Sequence, residues 1–81
     1  MVRRFRGATL DDADFSGADL GGADFTGAEL ASVDLRNCDL GGVEWSHMAN
    51  IKGANLAGVK NAPEGFVAWA LKNGAVQTPV Q

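Results

Sequence analysis

Residues Ala13 to Gly27 read ADFSG, ADLGG and ADFTG, three five-residue blocks in direct succession. The same frame holds for blocks starting at Ala8, Ala13, Ala18, Ala23, Ala28, Val33, Cys38 and Val43. Their first place is Ala, Val or Cys, and their third is Leu, Phe or Trp. Repetition at a fixed period governs how the rest of the chain is read.

A period of five suits neither regular element. On a helix, five steps of ~100° carry the large third-place residue around the surface instead of along a stripe. On an unbroken strand, an odd repeat flips that residue to the opposite face at each block. The chain must therefore turn once per block. The fifth place supplies the turn, with Gly17, Gly22, Gly27, Gly42, Gly53 and Gly58 joined by Ser32 and Asn37. Between turns, places one and three point inward and place two outward, so that successive coils can stack at ~4.8 Å.

These blocks resemble the A(D/N)LXX consensus of the pentapeptide-repeat family over roughly three quarters of the chain. The resemblance implies an all-β, right-handed quadrilateral β-helix with four blocks per coil, a number that spacing alone leaves open. Four blocks per coil would stack residues 20 apart, giving the columns Leu10/Leu30, Phe15/Leu35, Leu20/Leu40 and the aromatic Phe5/Phe25/Trp45. About three coils are expected, over a domain spanning residues 1–62.

The frame slips by one after the block Val43–His47. Ala49, Asn50 and Ile51 resume it late, which places an extra residue among Ser46, His47 and Met48, absorbed as a corner bulge. Polar Asn61 then ends the repeat. Pro63 and Gly74 bracket a short helix over Phe66 to Asn73, within a capping segment 63–76. Phe66, Val67, Ala70 and Leu71 share its apolar face, and Trp69 falls on the rim. Residues 77–81 are expected to be a disordered tail.

Charge singles out the second place, where Asp14, Asp19, Asp24, Glu29, Asp34, Asp39 and Glu44 are acidic in seven successive blocks. Asp and Asn suit this place because their side chains bond nearby backbone in turns. Asn50 and Asn55 fill it without charge, so a run of acids exceeds what the turns require. These seven residues are the candidate partner-binding faces, aimed at a basic protein surface of unknown identity. Arg3, Arg4 and Arg6 read as charges guarding an open coil edge rather than as a nucleic-acid footprint in a chain of net charge −3.

No catalytic, cofactor or metal site is expected. Cys38 points inward and Glu44 outward, so they do not converge with His47, the only histidine, on an ion or a nucleophile. Without an apolar run after its Arg-bearing start, the chain is expected to be cytoplasmic and, through the family, bacterial, with neither membrane nor direct nucleic-acid partners.

The leading functional expectation is thus a non-catalytic binding module. The family implies a special case, since quinolone-resistance members resemble duplex DNA and bind topoisomerases, but three coils give only about 14 Å of stack. The alternative is a structural or self-associating solenoid. Trp69 and Val76 are its candidate dimer contacts, in a homodimer through the C-terminal cap.

Overall fold

The computed structural model describes residues 4–78. Five-residue blocks wind into coils of 20 residues, joined by isolated parallel bridges at the second place of each block. Four columns of bridged residues result, one per side of the coil. Side one carries Arg4, Asp24 and Glu44; side two Thr9, Glu29 and Asn50; side three Asp14, Asp34, Asn55 and Val76; side four Asp19, Asp39 and Lys60. No strand longer than one bridged residue forms among the described residues, because each block turns before a second pair can be made.

The turns follow from one repeated hydrogen bond, in which the first-place N–H of a block donates to the third-place carbonyl of the block before, as from Ala13 to Leu10 (3.0 Å). Except at His47, the fifth-place residue inside such a turn adopts a positive φ, as the third residue of a type II turn must. Asp12, Ser32 and Asn37 accept φ of 65°, 58° and 62° there, beside glycines such as Gly17 at 73°.

Inward places build the core. In the second coil Phe25, Leu30, Leu35 and Leu40 are all at most 1% exposed, with Ala28, Val33 and Cys38 filling the corners between them. The predicted columns form, and Phe25 stacks on Phe5 with ring centroids 5.3 Å apart. Trp45 stands in that column by the Asp24–Glu44 bridge, and its ring packs on Phe66 and Trp69 of the cap. The first coil is less covered, with Phe5, Leu10 and Phe15 only partly buried.

The extra residue lies elsewhere than expected. The corner from Trp45 to Met48 closes with the ordinary bond, Met48 N–H to the Trp45 carbonyl (3.0 Å), and Met48 takes the inward first place at 8% exposure. Ala49 is the inserted residue, pushed out to solvent while its N–H donates to the Ala28 carbonyl. Two residues, Ala49 and Asn50, thus oppose Glu29 in a bulge within the side. A long apolar Met fills the inward place better than Ala, which decides the register.

One helix, α1, spans Phe66–Lys72. It ends in paired bonds from Gly74 N–H to the Leu71 carbonyl and from Ala75 N–H to the Ala70 carbonyl, a Schellman stop with Gly74 at φ 99°. Its buried face comprises Phe66 and Ala70 with Trp69 packed beside them, whereas Leu71, expected inside, is 40% exposed. Beyond α1 the chain rejoins the coils. Val76 bridges Asn55, with its N–H on the Ala54 carbonyl and its carbonyl accepting from Leu56, and Thr78 exchanges hydrogen bonds with the Asn55 side chain. Of the expected disordered tail, residues 79–81 lie outside the described residues, while Thr78 is tied down.

Candidate functional site

A second-place Asp points outward, and its Oδ1 lies within reach of the N–H two residues on. Asp14, Asp19, Asp24, Asp34 and Asp39 accept from Ser16, Gly21, Thr26, Arg36 and Gly41 in this way, at 2.9–3.0 Å. Asn50 and Asn55 make the same bond to Lys52 and Ala57. Glu29 and Glu44 make none, because the extra methylene carries the carboxylate past the turn. The Ala31 N–H, which Glu29 would have bonded, donates to Asp11 instead (3.2 Å).

The coils bring acids together in pairs. Asp14 bridges Asp34, Asp19 bridges Asp39 and Asp24 bridges Glu44, the three expected pairs, on three different sides. Glu29 stands alone between Thr9 and Asn50. The seven acids therefore form a belt around the stack, not one patch.

Local bonds outweigh the repulsion between paired acids. The Asp14 carboxyl is held below its ordinary 3.8, first by the Ser16 hydroxyl and then by the Ser16 N–H, against burial and the charge of Asp34. Thr26 does the same for Asp24, and the Arg36 guanidinium for Asp34, in an ion pair closed at 2.5 Å. Asp39 is lowered chiefly by the Gly41 N–H. Each of these carboxylates is ionised at neutral pH and fixed in direction on one oxygen.

Three features of the belt escaped the sequence reading. Arg4 sits above Asp24 on side one, and Arg6 approaches that carboxylate at 3.5 Å. Lys60 closes the Asp19/Asp39 column on side four, which a count of 21 residues across the bulge would have revealed. Asp11 and Asp12 add exposed acid at the corner between sides two and three.

At the other end, Trp69 is partly buried against Trp45 (5.2 Å) and Phe66 (6.2 Å). Val76 is 41% exposed, its backbone engaged in the ladder. Cys38 is fully buried; its thiol donates to the Phe15 carbonyl, and burial pushes its pKa up. Among the described residues no three His, Cys, Asp or Glu side chains converge to hold an ion, and no helix is long and apolar enough to cross a membrane.

The family model for pentapeptide repeats matches residues 4–42 in eight copies. It starts with the Arg-rich first block and stops short of Trp45, where the corner, the bulge at Ala49 and the Asn61 exit depart from the consensus, although the bridges continue to Lys60. No curated protein and no solved structure matches the chain. Eight consecutive motif copies, wound into coils whose bridges follow the same period, make residues 4–42 an array of the pentapeptide-repeat family.

Proposed function

We propose that the chain is a non-catalytic binding module, a right-handed quadrilateral β-helix whose acidic belt engages a basic surface on a protein partner. One observation carries the reading. Glu29 and Glu44 hold negative charge at the second place while making no turn bond, and Asn50 and Asn55 make the bond without charge. Charge and turn chemistry are separable here, and the acids persist where the turn does not use them. Parallel backbone bonding fixes the belt on a narrow core, so docking costs little ordering entropy.

The partner surface has to wrap corners, since the acids occupy all four sides. Association is expected to be fast and to weaken with salt, as for exposed charges separated by about a Debye length. Mimicry of duplex DNA toward a topoisomerase is the special case in which that basic surface is a DNA channel.

The test compares capture from a bacterial lysate by the wild-type chain and by a variant with Asp14, Asp19, Asp24, Asp34 and Asp39 all changed to Asn. Asn preserves the turn bonds, so the two should share their circular dichroism. Retention of a basic protein by the wild type and its loss by the variant supports the belt as the binding surface. Equal capture by both chains, or capture of nothing, refutes it.

A further inference from the structure

Among the described residues, the outer edge of the first coil is uncovered. In the second coil, Asp34 donates its N–H to the Ala13 carbonyl and accepts at its own carbonyl from Phe15, and Asp39 does the same with Ala18 and Leu20. The corresponding groups of Thr9, Asp14 and Asp19 face the same end of the stack, and their N–H and C=O make no bond among the described residues. On each of these sides both free groups belong to one residue. That is the donor and acceptor set which two antiparallel strands exchange at a hydrogen-bonded pair. Beneath them, Phe5, Leu10 and Phe15 are only partly buried.

We propose that this edge docks a second copy of the chain, head to head about a two-fold axis lying across the coil. Such an axis makes the facing segments antiparallel and the contact isologous. It admits four registers of a four-sided coil. The first puts side one on side one and side three on side three, setting Arg4 against Arg4 and Asp14 against Asp14. The second, two on two and four on four, sets Asp19 against Asp19. The third, one on two and three on four, sets Asp14 against Asp19. Among the second-place residues only the fourth, one on four and two on three, has no like charges opposed: Arg4 meets Asp19 and Thr9 meets Asp14, while the exposed corner of Asp11 and Asp12 lies on the axis and faces its own copy.

The shape of the edge selects the same register independently. Each side bonds to the residue 20 places on, so one circuit of the chain descends by one strand spacing, ~4.8 Å. Side one stands highest and side four lowest. Two such ramps meet without a gap only where high faces low all round, which is one on four and two on three. Second-place charge and ramp are separate properties of the edge, and they agree.

Sedimentation velocity of the full chain over a concentration series tests the proposal, with each variant compared by circular dichroism. A concentration-dependent dimer is expected; Arg4→Glu or Asp19→Lys alone weakens it at least tenfold, and the two combined in one chain restore it. The register is read directly by oxidising a mixture of Thr9→Cys and Asp14→Cys chains. These should form the mixed disulfide in preference to either homodimer, while Cys38 stays buried. A monomer at every concentration overturns the proposal, as does preferential Thr9→Cys homodimer. So does a dimer lost on Val76→Lys but indifferent to Arg4→Glu, which would place the contact at the C-terminal end.

Discussion

Glu44 shows how finely the second place is tuned. Its neighbours in the repeat, Asp39 and Asn50, each close a turn through Oδ1, and Glu44 does not, leaving the Ser46 N–H without a side-chain acceptor. Shortening it by one methylene should supply the missing bond. Glu44→Asp is expected to raise the melting temperature by roughly 3 °C, the worth of part of one exposed hydrogen bond in a domain of this size. Thermal melting by circular dichroism checks this, and an unchanged or lowered midpoint would count against the turn as the reason for Asp. Much at this scale was legible in the sequence. Outward Asp, inward Leu and Phe, and turn residues in the fifth place all follow from a period of five. The site of the insertion was not, because Met48 and Ala49 are both apolar and either satisfies the inward place on pattern alone. Side-chain volume, which periodicity does not encode, put Met48 inside.

α1 is an element whose position was legible and whose orientation was not. Pro63 and Gly74 bracketed it, but a seven-residue helix shows barely two turns, too few to define a stripe. The choice between Leu71 and Trp69 for the inner face was made by Trp45, a large residue at the bottom of the aromatic column that offers an indole more contact than a Leu would. Phe66, 1% exposed, anchors the helix against that residue. Phe66→Ala is expected to cost about 3–5 kcal/mol, as for buried aromatic truncations generally. The loss should appear first as a rise in amide exchange over residues 66–76, ahead of the second coil. Uniform loss of protection throughout the chain would mean that the cap and the coils fold as one unit.

The whole molecule responds to pH through its belt. Asp14, Asp24, Asp34 and Asp39 all have folded pKa values below the ordinary 3.8. Their contribution is therefore fully present above the unfolded value and is lost as pH falls through the lower, folded one. Melting temperature should be level from pH 7 to about pH 5 and drop below about pH 3.8, with the five-Asn variant much less sensitive. A wild-type chain that melts higher in acid would show that repulsion between stacked acids, not their turn bonds, dominates. The coil count followed from the four blocks per coil that the family resemblance implies, but the return of residues 74–78 to side three was not legible, since Ala75 to Thr78 carry no block signature and the bonds are made by backbone. That return has a mechanical consequence. A load applied at the C-terminus reaches Val76 and its ladder bonds before it reaches α1, so the segment after the helix acts as a latch on the lid. Pulled from that end, the molecule should yield first at this latch and only then release the helix, whereas a pull from the N-terminal end would meet the first coil and leave the latch closed.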